Sequence, residues 1–287
     1  MQIQELLTTA ATSLFHAGVE DSQLEAELLL RHCLHLSRSQ LFLLQKQAIE
    51  PDQERHFQQV LQRRVLREPL QYILGSCEFW SLDFQVTPAV LIPRPETEFL
   101  LEHALTVLAQ EGTGAPQQVL DLCTGSGVIA VVLANEFTRA GVTALDYSLE
   151  ALAVAQENIA FHGLSKRIQL MCADLLTCLQ AAPLFDLIVT NPPYIKAADL
   201  SSLQPEVRDW EPELALSGGN SGLDCISIIC RDGGQCLRPN GWLFMEIGAD
   251  IAQEVEWVFL HSGLYERVMV VKDWAGRPRV LQARKGG

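Results

Sequence analysis

From residue 95 onward, short apolar segments alternate with segments whose apolar residues recur at helical spacing. Seven short segments have the length of strands, and helices separate the first five. This alternation predicts an α/β fold: a largely parallel sheet with helices on both faces and ligands at the carboxyl ends of the strands. Only a short turn separates the last two strands, so we expect an antiparallel hairpin there. The predicted strands are Val119–Leu122, Val142–Leu145, Ile168–Leu170, Leu187–Val189, Trp242–Met245, Val268–Val271 and Arg279–Gln282.

The first part of the chain carries a different pattern. Apolar residues recur there at three- and four-residue spacing, which is typical of helices that bury one face. Ser22, preceded by Asp21, and Pro51 provide helix starts. These features predict a small bundle of helices.

The segment Glu78–Val86 is short, aromatic and β-branched, so it predicts a hairpin between the two patterns. We therefore expect three parts. They are a helical domain over residues 1–74, a hairpin linker over residues 75–94 and the α/β domain over residues 95–287.

Charge bears on the kind of substrate. The 287 residues include 35 acidic and 21 basic side chains, for a net charge of −14. Residues 1–75 hold 9 of the acids and 7 of the bases, so the acidity lies almost wholly in the remainder, with 26 acids and 14 bases. An acidic domain repels phosphate backbones and lacks the basic surface of duplex-binding proteins. We expect no direct binding to nucleic acid and favour a protein or small-molecule substrate.

Several other classes of protein lack support in the sequence. No apolar run approaches the roughly 18–20 residues that span a membrane, and Met1–Glu5 lack the basic segment of a signal peptide. The 8 cysteines form no Cys-x-x-Cys pair. His32, Cys33 and His35 share one helical stretch without a second ligand pair at zinc spacing. We expect a cytoplasmic protein with free thiols, no membrane contact and no metal site.

A glycine-containing turn, Asp121–Gly127, closes the first predicted strand and opens a helix. Such a turn lets a ligand approach the backbone, although it also serves as a plain strand–helix connection. Asp146 ends the next strand about 20 residues later, where a carboxylate can accept both hydroxyls of a ribose. The alternative for Asp146 is a helix cap, but Ser148 is better placed to cap the next helix. We favour the ribose contact.

The segment Asn191–Tyr194, Asn-Pro-Pro-Tyr, follows the fourth predicted strand. Its two prolines remove two backbone donors and stiffen the turn, leaving the Asn191 side chain and the Pro192 carbonyl as acceptors. Together these acceptors can take both hydrogens of a substrate –NH₂ group and orient the nitrogen lone pair. Tyr194 can offer its face to a developing positive charge, or it can simply pack in the wall. A rigid turn without a ligand is the other interpretation of the whole segment.

These residues resemble the protein-(glutamine-N5) methyltransferases that modify peptide chain release factors, the HemK/PrmC family. The resemblance extends over nearly the whole chain and includes the two turns together with other family segments. Asn-Pro-Pro-Tyr alone is shared with the amino-methyltransferases of nucleic acids, whereas Arg-Pro-Glu-Thr-Glu is more specific. Cys123 is a departure, since the family usually has a first glycine there. The further segments are Glu78–Ser81, Leu91–Glu98, Glu211–Leu216 and Glu246–Gly248.

The resemblance implies a seven-stranded S-adenosyl-L-methionine-dependent methyltransferase domain behind a helical substrate-recognition domain. It implies that Asp146 contacts the ribose of the cofactor and that Asp174 and Leu175 contact the adenine, although Asp174 could instead be a helix cap. It also implies that Asn191, Pro192, Pro193 and Tyr194 hold the glutamine of the release factor's Gly-Gly-Gln motif, with Asn191, Pro192 and Tyr194 acting in catalysis. The implied cofactor contacts are Cys123, Thr124, Gly125, Ser126, Gly127, Asp146, Asp174, Leu175 and Asn191.

Two alternative functions remain open from the sequence. A nucleic-acid amino-methyltransferase acting on adenine N6 or guanine N2 would also use Asn-Pro-Pro-Tyr, with base flipping to deliver the amine. A nucleotide-binding oxidoreductase or a non-catalytic binding module would use only the glycine turn. Gly233-Gly234-Gln235 of this chain repeats the tripeptide that the family methylates, and we interpret that match as a coincidence.

Overall fold

The computed structural model describes residues 1–111 and 114–287. They divide into two compact units. A helical unit comprises Met1–Ser76 together with Gln204–Trp210, and a second unit comprises Cys77–Leu203 together with Glu211–Gly287. The chain therefore passes between the units three times. Among the described helices, none is long and apolar enough to cross a membrane.

The helical unit buries one apolar face of each of its longer helices. Leu6 and Leu14 of the first helix, Leu29 of the second and Phe57 of the fourth are all fully buried in one cluster. The predicted starts are confirmed, because Ser22 follows the cap residue Asp21 and Pro51 occupies the first turn of its helix. The helices are α1 (Ile3–His16), α2 (Ser22–Leu34), α3 (Arg38–Leu44), α4 (Pro51–Val65), α5 (Leu70–Leu74) and, later in the chain, α9 (Pro205–Arg208).

Two arginines attach α9 to the helical unit. The buried Arg64 of α4 forms ion pairs with Glu25 of α2 and with Glu206 of α9. Arg67 donates to both carboxylate oxygens of Glu206, each at 2.7 Å. Burial alone would raise the pKa of Glu206, but the hydrogen bonds from the two arginines outweigh it and hold that pKa below its ordinary value. Glu206 is thus held as a carboxylate on this surface.

The second unit begins with the predicted hairpin and continues with alternating strands and helices. Trp80 and Ser81 both have a φ of 56°, as the tight turn of a two-residue hairpin requires. The elements are β1 (Ser76–Phe79), β2 (Leu82–Gln85), α6 (Pro95–Glu111), β3 (Gln118–Leu122), α7 (Val128–Glu136), β4 (Gly141–Asp146), α8 (Leu149–Phe161), β5 (Ile168–Cys172), β6 (Phe185–Thr190), α10 (Asp224–Ile228), α11 (Gly234–Cys236), β7 (Leu237–Glu246), α12 (Ala252–His261), β8 (Tyr265–Lys272) and β9 (Pro278–Lys285).

The sheet has seven strands in the order β5-β4-β3-β6-β7-β9-β8. The first five in this order pair in parallel, whereas β9 is antiparallel to both β7 and β8. All seven predicted strands and the antiparallel hairpin at the edge are confirmed. The expectation that helices separate the first five strands is wrong at one place, because turns and not a helix connect β5 to β6. The strand order reverses beside β3, because the chain places β4 and β5 on one side and β6 on the other. A crevice for ligands forms at such a switch point, outside the carboxyl ends of the strands.

Helices cover both faces of the sheet, as predicted. Val119 and Leu187 point into a core that contains α6, α7 and α8, whereas the adjacent Leu120 and Ile188 point into a core that contains α10 and α12. Successive strand residues face opposite sides of a sheet, so strands buried on both faces need near-continuous apolar sequence. That need explains the uninterrupted apolar strands seen in the sequence.

Candidate active site

A cavity of about 390 Å³ lies at the carboxyl ends of β3 and β4 and beside the loop that follows β6. Cavities of roughly 300–1,000 Å³ suit small molecules. Its walls include the turn after β3, the end of β4, the turn after β5, the start of the loop after β6 and two further segments, Ala89–Arg94 and Pro212–Ala215. The two turns that the sequence singled out therefore meet at one cavity.

The turn after β3 keeps the backbone shape that glycine favours even where glycine is absent. Cys123 has a φ of 63°, and Gly125 and Gly127 have φ values of 54° and 84°. The left-handed conformation costs a residue with a Cβ roughly 1–2 kcal/mol. Cys123, which stands where the family usually has glycine, thus keeps the left-handed conformation although it has a Cβ. The turn is therefore locally strained at this residue. An ideal Cβ on Gly125 would meet no atom within 4 Å, so space for a ligand lies above this residue.

Asp121 fastens this turn to the strand and to the helix that follows. Its Oδ2 accepts hydrogen bonds from the Thr124 hydroxyl at 2.5 Å and from the Ala130 amide at 2.9 Å. Asp121 is fully buried, and burial raises its pKa to about 7 against the opposing effect of those two bonds. In the sequence, Asp121 belongs to the turn but has no evident role. The structure gives it the role of holding the turn in shape.

Asp146 connects the end of β4 with the same turn. Its Oδ2 accepts from the Gly125 amide at 2.8 Å, and its Oδ1 accepts from the Ser148 amide at 3.0 Å. The cap of α8 is Ser148, whose hydroxyl accepts from the Ala151 amide at 3.1 Å. Asp146 lines the cavity, and burial raises its pKa. Each carboxylate oxygen has a second lone pair available for a ligand hydroxyl.

The ribose contact predicted for Asp146 has a direct test. Replacing Asp146 with alanine should weaken cofactor binding by roughly 1.5–3 kcal/mol, the loss expected when charge-assisted hydrogen bonds to ribose hydroxyls are removed. Calorimetric titration with S-adenosyl-L-methionine measures this change. A matched control is Asp186→Ala. Asp186 also binds backbone amides, those of Gln117 and Gln118, but at the amino end of β6, so only stability should fall. Equal cofactor affinity in wild type and Asp146→Ala would contradict the ribose role.

Asp174 and Leu175 line the cavity from the turn after β5. The Asp174 side chain is exposed, whereas Leu175 is buried with a φ of 46°. A turn follows Asp174 rather than a helix, so the alternative interpretation of this residue as a helix cap has no helix to serve. The contact with adenine stays a prediction.

Asn191 lies at the cavity with its amide already oriented. Its Nδ2 donates to the Thr97 hydroxyl oxygen at 3.2 Å, which leaves Oδ1 as the atom that can accept from a ligand. Pro193 also lines the cavity, whereas Pro192 and Tyr194 are not among the described lining residues. The Tyr194 hydroxyl donates to Oε1 of the buried Glu246 at 3.1 Å, and burial raises the pKa of the phenol.

Thr97 and Glu246 are partners that the sequence analysis missed. Both are buried, and the Thr97 hydroxyl donates to Glu246 Oε2 at 2.7 Å. Burial raises the pKa of Glu246. Each residue lies in a segment that carried the family resemblance, but neither had a derived role. One signal was present, because Glu246 ends a strand of the parallel part of the sheet, where functional side chains gather.

A glycine-rich loop packs directly on the backbone of Tyr194. An ideal Cβ on Gly222 would lie 2.5 Å from the Tyr194 carbonyl oxygen, and one on Gly218 would lie 2.8 Å from the Tyr194 Cα. Ile195 and Ser217 add a parallel bridge between the two segments. Only glycine fits at these contacts, so the loop fixes the path of Asn191–Tyr194. The cluster of glycines in the sequence was the available signal.

Replacing Gly222 with alanine should therefore displace Tyr194 and lower both stability and the methyl transfer that the family resemblance predicts. Gly163→Ala is a matched control, since its φ of 72° resembles the 77° of Gly222 while a Cβ there would meet open space. The control should lose about 1–2 kcal/mol from the left-handed conformation alone. Gly222→Ala should lose about 1–3 kcal/mol more from the overlap. Denaturant unfolding and turnover measure both effects, and equal losses in the two variants would refute the packing role.

An ion pair joins the two remaining walls of the cavity. Arg94 donates to Glu211 Oε1 at 2.5 Å, and the Ile92 amide donates to Glu211 Oε2 at 3.4 Å. Glu211 is buried, and burial raises its pKa although Arg94 opposes the shift. The segments Leu91–Glu98 and Glu211–Leu216, both of which carried the resemblance, are thus held together beside the cavity.

Packing accounts for the two glycines of Gly233-Gly234-Gln235. An ideal Cβ on Gly234 would lie 3.0 Å from Leu264, and one on Gly233 would lie 3.2 Å from Leu243. Both glycines are buried, so their small size has a structural reason.

Known proteins similar to this chain identify its family. Residues 5–75 match the family model described as PrmC N-terminal domain, and residues 96–204 match Methyltransferase small domain. The release factor glutamine methyltransferase of Moorella thermoacetica is 42% identical over 283 residues, which are 99% of this chain and 98% of that protein. The release factor glutamine methyltransferase of Koribacter versatilis is 39% identical over 285 residues, 99% of each chain. A crystal structure of a methyltransferase from Pyrococcus furiosus has the same fold, with a TM-score of 0.53, 18% identity and coverage of 73% of this chain and 91% of that one.

The seven-stranded fold, with its cavity at the switch point, is that of an S-adenosyl-L-methionine-dependent methyltransferase. Within that class the chain belongs to the release factor glutamine methyltransferase family. The resemblance inferred from the sequence is thereby confirmed. The alternatives of a nucleotide-binding oxidoreductase and of a non-catalytic module have no support from these comparisons.

Proposed function

We propose that this protein transfers a methyl group from S-adenosyl-L-methionine to the side-chain amide nitrogen, N5, of the glutamine in the Gly-Gly-Gln motif of peptide chain release factors. The observation that carries the proposal is the state of Asn191. Its Nδ2 is engaged by Thr97, so its Oδ1 is left to accept an N–H from a second amide at the cavity. A primary amide of glutamine provides that donor.

The residues present fit the cofactor. An open space lies above Gly125, and the Asp146 carboxylate beside it has lone pairs left for two hydroxyls. When bound, S-adenosyl-L-methionine would supply a methyl group on a sulfonium, from which a neutral thioether is a good leaving group. We propose that the turn Cys123–Gly127, Asp146, Asp174 and Leu175 hold it, with Asn191 at the junction of cofactor and substrate.

The protein's part in the reaction is mainly to position the amide. An amide nitrogen is a poor nucleophile because its lone pair is delocalised. Acceptance of its two N–H bonds by Asn191 Oδ1 and the Pro192 carbonyl would orient that nitrogen and stabilise the positive charge that develops on it. Alignment of reacting groups can contribute on the order of 7–11 kcal/mol. The methylated nitrogen then gives up one of its two protons, and a cationic amide nitrogen is acidic enough to release that proton to water without a general base of exceptional pKa.

We propose that the helical unit recognises the body of the release factor. Residues 1–75 carry 9 acidic and 7 basic residues, whereas the remainder carries 26 acidic and 14 basic residues. Residues 1–75 should therefore repel an acidic partner less than the remainder does. This assignment fits the comparison with the PrmC N-terminal domain over residues 5–75. We propose further that the enzyme acts in the cytoplasm, together with the translation machinery, and has no direct role on nucleic acid.

Labelled methyl transfer to a purified release factor, followed by mass localisation of the label, tests the proposal. The expected result is one methyl group on the glutamine of Gly-Gly-Gln and none on a release factor in which that glutamine is replaced by alanine. A short Gly-Gly-Gln peptide should react more slowly if the helical unit recognises the rest of the factor. Labelling of RNA or DNA in place of the release factor would overturn the proposal and favour an amino-methyltransferase of nucleic acids.

A further inference from the structure

A chain of hydrogen bonds runs from the cavity into the core. Asn191 Nδ2 donates to Thr97 Oγ1 at 3.2 Å, and Thr97 Oγ1 donates to Glu246 Oε2 at 2.7 Å. The Tyr194 hydroxyl donates to the other oxygen, Glu246 Oε1, at 3.1 Å. Glu246 is 1% exposed and Thr97 is 3% exposed, so protein groups and not bulk water decide which atoms bond there.

The direction of these bonds follows from the number of hydrogens. A carboxylate can only accept, and the Thr97 hydroxyl has one hydrogen, which it gives to Glu246. The Thr97 oxygen can therefore only accept on its other side. Of the two ends of the Asn191 amide, only the –NH₂ end can satisfy an acceptor. The two orientations of an asparagine amide have nearly the same shape, so such a network is what distinguishes them.

We infer that Thr97 and Glu246 are positioning residues that hold the Asn191 amide with Oδ1 toward the substrate. The inference rests on the proposed function, since it assigns to Asn191 the acceptance of a substrate N–H. In the reverse orientation the Asn191 –NH₂ group would face the –NH₂ group of the substrate. Two donors would then oppose each other, and the substrate amide would lose an acceptor at the point where charge develops.

The surroundings of Glu246 suit the acceptor role. The donors that reach it are Thr97 from α6 and Tyr194 from the loop after β6. Burial raises the pKa of Glu246, and the positive charge of Arg279 on β9 opposes that shift, while Glu96 on α6 adds to it. Each oxygen of the carboxylate accepts one hydroxyl donor, so both oxygens take part in this network.

Thr97→Val tests the inference, because valine keeps the shape and removes only the hydroxyl. The value of kcat on a release factor should fall roughly tenfold from the loss of a preoriented acceptor. The Kd for S-adenosyl-L-methionine, measured by calorimetry, should change much less. Thr97→Ser keeps the hydroxyl and should retain most of the wild-type kcat. The number of cofactor sites per chain, obtained from the same titration, gives the fraction of the enzyme that is folded. If Thr97→Val lowers the Tm, Thr97→Ala serves as a second variant.

A double-mutant cycle with Asn191→Ala separates positioning from a general structural effect. If Thr97 acts through Asn191, Thr97→Val should cause no further loss of kcat in the Asn191→Ala enzyme. Losses that multiply would overturn the inference, and so would an unchanged kcat in Thr97→Val or a serine variant as impaired as the valine variant. Wild-type turnover is measured first. Its absence would defeat the proposed function, whereas normal wild-type turnover with an additive cycle would defeat only the inference.

Discussion

Asn191→Ala is expected to lower methyl transfer about 10²- to 10³-fold, the usual effect of removing one preorganised contact to a developing charge. The reason lies in the geometry of the cavity. Thr97 engages Nδ2 of Asn191, which lines the cavity, and the remaining acceptor, Oδ1, is the atom that we propose binds the substrate amide. Cofactor affinity should stay nearly intact, because the contacts proposed for the ribose come from Asp146. Single-turnover rates and calorimetric titration measure the two quantities separately.

A control for this variant is Asn135→Ala. Asn135 is exposed in the last turn of α7 and does not line the cavity, so its loss should leave turnover unchanged. If Asn191→Ala turns over as fast as wild type, the proposed role of Asn191 is wrong. If it loses cofactor affinity and rate in equal measure, Asn191 belongs to the cofactor site and not to the glutamine site.

Periodicity sufficed to predict the sheet. Strands such as Leu187–Val189 are continuous apolar runs bounded by polar residues, and the structure extends that strand only to Phe185–Thr190. The antiparallel edge was predictable as well, because the short turn between β8 and β9 leaves no room for a crossover helix. Local pattern alone determined these features, so no knowledge of distant contacts was needed.

Contacts between distant residues were not predictable from local pattern. The short helix α9 has four residues, too few for a periodic signal, and it joins the helical unit through Arg67 and Glu206, which are 139 residues apart in the chain. The bond between Thr97 and Glu246 spans 149 residues. Asp146 and Asn191 were recognisable because the rule that ligands bind at strand ends applies to each of them separately. The partner that orients Asn191 became visible only with the fold.

Arg64→Ala is expected to cost the helical unit about 3–5 kcal/mol of stability, the usual loss when one member of a buried ion pair is removed. Arg64 is 5% exposed and pairs with two carboxylates, Glu25 and Glu206. Its removal leaves Glu25 without this cation and leaves Glu206 with Arg67 alone. Denaturant unfolding, followed by a probe placed in the helical unit, measures the loss.

Arg55→Ala on the same helix is the matched control for Arg64→Ala. Arg55 is 75% exposed and pairs with the exposed Asp52 one turn away, and such surface pairs contribute only about 0–1 kcal/mol. A similar small loss in both variants would mean that the Arg64 network does not hold the helical unit together.

Loss of the Arg64 ion pairs should affect catalysis as well as stability. The segment Gln204–Trp210 that Arg64 helps to retain lies in the chain between Asn191 and the cavity wall at Pro212–Ala215. Release of that segment should therefore lower methyl transfer in Arg64→Ala even at temperatures where the second unit stays folded and binds its cofactor.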